Sequence, residues 1–212
     1  MERAAEINAL GAAVRDALDD RHHAREITIG ASRAAIQSCA KSIRATHRAE
    51  FDNAAELARE AQARVAEADA ALAHHPEIRA TGPLHDAKKE LAEAWLTLAL
   101  VRDEPLPSAS DLGIDAAAWC NGLAEAASEL RRAALDRLRA GDLDRAEQLV
   151  GAMDDVYSTL VTIDYPDGVT GGLRRTTDAL RAVLERTRGD LTTALVAHRL
   201  QAAIEAADRR TR

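Results

Sequence analysis

Residues 115–141, DAAAWCNGLAEAASELRRAALDRLRAG, decide the fold of this chain. The apolar residues in this stretch recur at three- and four-residue spacing, which is the period of an α-helix. Asp115 stands before the stretch and is a residue type that caps helix starts. Gly141 stands after it and suits the left-handed conformation in which many helices end. The stretch therefore predicts a helix over Ala116–Ala140.

The composition extends this prediction to the whole chain. Its 212 residues include 48 Ala and 24 Leu but only five aromatic residues, five Pro and eleven Gly. Good helix formers with few aromatic residues are typical of an all-α protein. The same spacing predicts helices over about 4–18, 25–48, 53–73, 85–102, 142–162 and 173–207, with Asp52 as an N-cap, a break at 76–83 and an interruption near Gly189. The chain is thus predicted to be one domain, residues 1–212, of about seven helices.

Charge and hydropathy exclude several classes of protein. The net charge of −7 argues against a generic polycation that coats nucleic acid. No apolar run reaches the roughly 18 residues of a membrane span, and the start of the chain lacks the pattern of a signal peptide. Cys39 and Cys120 are isolated in sequence, so we expect two small buried residues in a reducing, cytoplasmic compartment. Five aromatic residues also argue against a base-stacking β domain.

Two pairs of glutamates are candidate metal ligands. Glu90 and Glu93 are three residues apart, and Glu125 and Glu129 are four apart, so each pair shares one helix face. Their neighbours are Leu, Ala and Trp, and carboxylates beside apolar surface need a cation or a shared proton. Two such helices face to face would offer oxygen donors for Mg²⁺. The alternative is that these are ordinary solvated glutamates. No Glu-x-x-His motif accompanies them, which argues against a ferritin-like di-iron site.

Basic residues form three clusters that are candidates for phosphate contact. Arg outnumbers Lys by 25 to 3, and the guanidinium fork suits phosphate. A solvated surface or ion pairs between subunits are the alternatives. The clusters are Arg21-His22-His23 with Arg25; Arg33, Lys41, Arg44, His47 and Arg48; and Arg174-Arg175 with Arg181, Arg186 and Arg188.

Several motifs together resemble prokaryotic members of the translin and translin-associated factor X family. Residues 164–175, DYPDGVTGGLRR, and 184–192, LERTRGDLT, carry most of the resemblance. It extends from about residue 25 to 195. The supporting motifs are Ser32-Arg33, Ile43, His47-Arg48, Leu106-Pro107-Ser108, Leu112-Gly113, Gly122-Leu123-Ala124-Glu125 and Gly141-Asp142.

The resemblance implies an all-α fold of seven helices and a hollow homo-oligomer, an octamer or a hexamer, with a paralogous second subunit as an open option. It implies binding of single-stranded RNA and DNA. In the nuclease branch of the family four inward-facing acids bind Mg²⁺, with Mn²⁺ as the alternative, and cleave RNA. By that resemblance the catalytic and metal-binding residues are Glu90, Glu93, Glu125 and Glu129. Glu125 stands where eukaryotic members usually have Asp. The residues assigned to nucleic-acid binding are Arg25, Arg33, Arg44, His47, Arg48, Arg174 and Arg175.

Three functional hypotheses follow. The first is a Mg²⁺-dependent endoribonuclease inside a helical oligomer. The second is an oligomer that binds single-stranded nucleic acid without cleaving it. The third is an all-α nucleotide pyrophosphohydrolase, a class that also carries acidic pairs on helices with Mg²⁺. It ranks last because the motifs at 164–175 and 184–192 do not resemble that class.

Overall fold

The all-α fold is confirmed by a computed structural model, which describes residues 2–75 and 82–211. These residues contain eight helices and no strand. The helices are α1 (Glu2–His47), α2 (Phe51–Ala71), α3 (Pro83–Arg102), α4 (Ala109–Leu112), α5 (Ala116–Ala140), α6 (Leu143–Leu160), α7 (Asp167–Thr170) and α8 (Leu173–Thr211). Across the two described ranges, none of them combines the length and apolarity needed to cross a bilayer.

The ends of α5 follow the sequence prediction. The Asp115 side chain accepts a hydrogen bond of 2.9 Å from the Ala118 amide, and Gly141 ends the helix with φ of 78°. The loop before α5 and the loop before α8 each contain a single extra turn, α4 and α7, which the spacing did not predict. The predicted helix count of about seven therefore becomes six long helices and two short ones in the described ranges.

The start of α2 differs from the prediction. The helix begins at Phe51, so the residue at the N-cap position is Glu50 and Asp52 lies within the first turn. Glu50 forms no capping bond because its carboxylate accepts hydrogen bonds of 2.7 and 2.8 Å from Arg48. These bonds lower the pKa of Glu50 to about 2. Asp52 instead places its charge near the positive end of the helix dipole.

Two predicted interruptions are absent from the long helices. The stretches 4–18 and 25–48 belong to one continuous helix of 46 residues, because residues 19–24 contain no Gly or Pro. Helix α8 likewise continues through Gly189, since a glycine inside a helix costs only about 1 kcal/mol. Within the predicted break at 76–83, residues 76–81 lie outside the described part, and α3 begins at Pro83.

Helices α3 and α5 form the centre of the molecule. Helix α3 packs against α1, α2 and α5, while α5 also packs against α6 and α8. Two apolar clusters meet here, and Trp95 of α3 contacts both. One cluster contains Ala35, Val65 and Leu91, and the other contains Leu96, Leu130, Met153, Leu180 and Leu184. Cys39 is fully buried in the cluster of Ala35, as predicted, whereas Cys120 is only half-buried.

The outer ends of α1 and α8 extend past this core. The first buried residue of α1 is Ala24, which leaves about the first twenty residues of the helix at the surface. Apolar side chains on both outer ends recur at helical spacing, so each forms one exposed stripe. The α1 stripe consists of Ile7, Leu10, Val14 and Leu18, and the α8 stripe of Val196, Leu200 and Ile204.

Candidate metal and nucleic-acid site

The site forms where α3 and α5 touch backbone to backbone. Gly122 of α5 allows this contact: a Cβ built there would lie 2.4 Å from the Cβ of Ala92 and 2.7 Å from the Lys89 carbonyl oxygen. Only glycine fits such an approach. The acidic residues lie within two turns of this contact on both helices, so the close packing places the two acidic pairs face to face.

Three of the four predicted acids converge. Glu90, Glu93 and Glu125 each offer a carboxylate oxygen within 4.8 Å of the other two. Glu129 lies one turn further along α5 and is engaged from a third helix: its Oε2 is 2.6 Å from Nε2 of His47, at the end of α1. The predicted set thus forms a cluster of three carboxylates with a fourth beside it.

Burial and mutual repulsion change how these acids ionise. Burial, followed by the charges of Glu90, Glu125 and Glu129, raises the pKa of Glu93 to about 8. Burial also raises the pKa of Glu90. Glu93 therefore keeps its proton near neutral pH when no cation is bound, because a further negative charge here is unfavourable.

Cys39 of α1 lies beside the carboxylate cluster. Its thiol is buried, and burial together with the charges of Glu90 and Glu93 raises its pKa. The thiol is therefore neutral and inert, so the donors facing the cluster are carboxylate oxygens.

Lys89 supplies a positive charge within the cluster. Its Nζ donates a hydrogen bond of 3.0 Å to Glu125 and lies 3.8 Å from Glu90. Burial acts to lower the pKa of Lys89, but the hydrogen bond and charge of Glu125, together with the charges of Glu90 and Glu93, outweigh it and raise that pKa. Lys89 was not among the predicted site residues, although it directly precedes the predicted ligand Glu90 in sequence.

The donor set fits a hard divalent cation. Mg²⁺ prefers carboxylate oxygens and binds through a few of them while keeping several waters. The retained proton of Glu93 and the charge of Lys89 both indicate that three ionised carboxylates here require a positive partner.

The loop before α8 is fastened beside this cluster by Asn121. Its amide donates hydrogen bonds to the carbonyls of Ala117 and Thr170, at 2.9 and 2.7 Å, and its Oδ1 accepts one of 2.6 Å from Thr176. Gly171 lies against the His85 ring, where a Cβ would be 3.0 Å from Nε2. The motif at 164–175 thereby forms one wall of a cleft of ≈ 380 Å³ that opens next to Glu125.

The structure separates the predicted nucleic-acid residues into two groups. Within the described part, Arg33, Arg44 and Arg175 are exposed and have no acidic partner. The others are paired: Arg25 with Glu26, Arg48 with Glu50, Arg174 with Asp164 and His47 with Glu129.

His47 differs from the other predicted binding residues. Its side chain is only 4% exposed and lies against Glu129. This places His47 in the acidic site and not on an open surface, which sequence could not reveal because its partner is 82 residues away.

Comparisons with known proteins agree with this architecture. The crystal structure of AfC3PO and the structure of its complex with duplex RNA both superpose with a TM-score of 0.81 over 88% of this chain. Their sequence identities are 31% and 32%, and the match covers 97% and 96% of those chains. The crystal structure of apo-NeC3PO shares the fold, with a TM-score of 0.75 over 87% of this chain and 96% of its own, at 18% identity.

Among curated proteins, the uncharacterized protein MJ0175 of Methanocaldococcus jannaschii is 31% identical over 178 residues, which are 83% of this chain and 78% of that protein. No protein-family model matches the chain.

Proposed function

This chain belongs to the translin/C3PO family, and from that premise we propose that it binds nucleic acid and cleaves RNA with a Mg²⁺ ion held by acids of α3 and α5. The observation that carries the proposal is the convergence of Glu90, Glu93 and Glu125 within 4.8 Å of one another. The cluster lies beside a cleft that is open to solvent and wide enough for a phosphate group.

Nucleic-acid binding is the part of the proposal with the broadest support. The complex of AfC3PO contains duplex RNA, and its protein is 32% identical to this chain over nearly its full length. Arg33, Arg44 and Arg175 are exposed and have no acidic partner among residues 2–75 and 82–211, so they are suited to hold a phosphodiester backbone without reading its sequence. We therefore propose RNA as the substrate, with single-stranded DNA as a second ligand.

The acids supply the metal site for cleavage. Glu90, Glu93 and Glu125 would hold the ion, and Glu129 would contribute from the adjacent turn. A bound Mg²⁺ would lower the pKa of a coordinated water and neutralise charge that develops on the phosphate. Glu93 would give up its proton on binding, since a ligating carboxylate must be ionised.

Two basic residues would organise these acids. His47 holds Glu129 in place through its 2.6 Å contact, which is a positioning role. Lys89 neutralises Glu125, so the side chains can stay together before the ion arrives.

We further propose that the active form is a homo-oligomer, an octamer or a hexamer. The exposed apolar stripes of α1 and α8 support this proposal, because a solitary subunit would leave them in water.

A cleavage assay tests the catalytic proposal. Purified protein is incubated with single-stranded and duplex RNA, with Mg²⁺ or with EDTA, and the products are separated by size. We expect Mg²⁺-dependent cleavage that Glu125→Ala and Glu129→Ala each reduce by at least about tenfold, since each removes charge stabilisation worth more than about 1.4 kcal/mol. Glu147→Ala is the matched control, because Glu147 is exposed on α6 and is not one of the clustered acids.

Each alternative gives a different result. Intact RNA that is retained by the wild-type protein would support the non-catalytic binding hypothesis. Release of pyrophosphate from a nucleoside triphosphate would support the pyrophosphohydrolase hypothesis. Equal cleavage by wild type, Glu125→Ala and Glu129→Ala would show that the site is wrong.

A further inference from the structure

One face of α5 carries a straight row of polar residues through the acidic site. Asn121, Glu125, Ser128, Arg132 and Arg139 are spaced by four, three, four and seven residues, so they share one side of the helix. Glu125 and Arg132 are therefore about 10 Å apart along the axis. We call this face the α5 row.

A charged cleft lies at one end of the α5 row. Its lining includes the acids Asp86 and Glu125 and the bases Lys89 and Arg175, together with His85 and Ser128. Arg175 is exposed and has no acidic partner in the part of the chain that the structure describes. Its guanidinium folds back over Gly172: a Cβ added to that glycine would lie 2.9 Å from Nη2. Lys89 is already held by Glu125 at 3.0 Å, so Arg175 supplies the charge that this cleft offers to a phosphate.

An open groove runs from Ser128 towards the C-terminal end of α5. It is lined by Glu129, Arg131, Arg132 and Arg139 among others. Arg131 is held by Asp190 at 2.8 Å and Arg139 by Asp136 at 3.1 Å. Arg132 is exposed, and no described acid pairs with it.

Arg175 and Arg132, which have no acidic partner among the described residues, therefore lie on opposite sides of the carboxylates. Ser128 belongs to both the cleft and the groove, so the two are continuous along α5. The acids alone would repel a polyanion, and positive charges on both sides would offset this repulsion.

From this arrangement, and resting on the proposed function, we propose that a nucleic-acid strand lies along the α5 row. One backbone phosphate contacts Arg175 in the cleft, another contacts Arg132, and the phosphate between them faces the carboxylates. The contacts are to phosphates, so the site does not select a base sequence. Sequence reasoning included Arg175 but neither Lys89 nor Arg132.

The test is equilibrium binding without metal, so that no cleavage occurs. The affinity of a fluorescein-labelled oligouridylate is measured by anisotropy in EDTA at several salt concentrations. For single strands, each phosphate contact contributes about 0.7 to the slope of log affinity against log salt. We expect Arg132→Gln and Arg175→Gln each to reduce the slope by about 0.7, and the double variant by about 1.4.

Arg59→Gln is the matched control. Arg59 is exposed and has no described acidic partner, and its helix α2 packs against α1 and α3. The Arg59→Gln substitution removes the same charge from a different part of the surface. Slopes for Arg132→Gln and Arg175→Gln that equal the slope for Arg59→Gln would overturn the proposed path.

The binding slopes and the cleavage assay answer separate questions. If the slopes change as predicted but RNA stays intact, the result supports the strand path along the α5 row and contradicts the proposed nuclease activity. A protein that cleaves RNA with unchanged slopes in the Arg132→Gln and Arg175→Gln variants contradicts the path alone.

Discussion

Glu93 is the residue at which function and stability conflict most directly. Its burial, followed by the charges of Glu90, Glu125 and Glu129, raises its pKa from 4.5 to about 8. The folded state therefore binds this proton more tightly than the unfolded chain does. Stability from the bound proton is fully present below about pH 4.5 and is lost as the pH rises towards 8.

We expect Glu93→Gln to stabilise the metal-free protein, because the amide stays neutral at every pH. Its Tm in EDTA should equal that of the wild type near pH 4.5 and exceed it by on the order of 5 °C at pH 8, since 1 kcal/mol shifts Tm by about 2–4 °C in a chain of this size. Mg²⁺ should raise the wild-type Tm at pH 8 and leave the variant unchanged. Differential scanning calorimetry measures both effects.

The control for this prediction is Glu147→Gln, which changes an exposed glutamate of α6 in the same way. A Tm difference between wild type and Glu93→Gln that stays constant from pH 4.5 to 8 would contradict the proposed titration.

At the scale of single residues, the sequence identifies the four acids as candidate ligands but does not identify their partners. The spacing of Glu90 with Glu93 and of Glu125 with Glu129 indicates a shared face, which needs only the helix period. The contacts of Lys89 with Glu125 and of His47 with Glu129 join residues 36 and 82 positions apart. Such contacts depend on how helices pack, and periodicity along one helix contains no information about that.

At the scale of elements, Gly122 determines the distance between α3 and α5. It lies in a helix interior, where glycine is unfavourable, yet its missing side chain admits Ala92 and the backbone of Lys89. The acidic pairs are carried on these same helices, so the geometry of the site depends on this contact.

Gly122→Ala should separate the two helices. The added methyl group overlaps Ala92 and the α3 backbone, neither of which is a flexible side-chain end, so we expect a loss of about 1–3 kcal/mol in stability. We also expect weaker Mg²⁺ binding, measured by calorimetric titration.

Gly151→Ala is the matched control for Gly122→Ala. No atom lies within 4 Å of a Cβ at that position in α6, so the change should add about 0.5–1 kcal/mol of stability. Equal stability of the Gly122→Ala and Gly151→Ala variants would refute a tight contact between α3 and α5.

At the scale of elements, the helix boundaries show what local sequence signals can and cannot predict. Asp115 and Gly141 bound α5 as expected, because capping chemistry is local. Local signals predict breaks at 19–24 and at Gly189, but neither position supplies a turn or a left-handed residue. Polar residues in a long helix weaken its amphipathic pattern without ending it.

At the scale of the whole molecule, the apolar stripes of α1 and α8 determine the assembly prediction. We expect Leu10→Glu to reduce the native mass, because it places a charge in the proposed subunit contact. The fold of the subunit should persist, since Leu10 is 63% exposed. Native mass spectrometry measures the assembly and circular dichroism the helix content.

Leu106→Glu provides the comparison, because Leu106 is also exposed but lies in the loop before α4. An unchanged native mass for Leu10→Glu would argue against the α1 stripe as an interface.

The continuity of α1 has a mechanical consequence. At 1.5 Å per residue its 46 residues form a rod about 69 Å long, with Leu10 near one end and His47 at the other. A rod without a joint transmits rotation and axial displacement along its whole length. If a neighbouring subunit docks on the outer end of α1 as proposed, it binds the same rigid helix whose inner end contacts Glu129 through His47, so assembly and the acidic site share one lever.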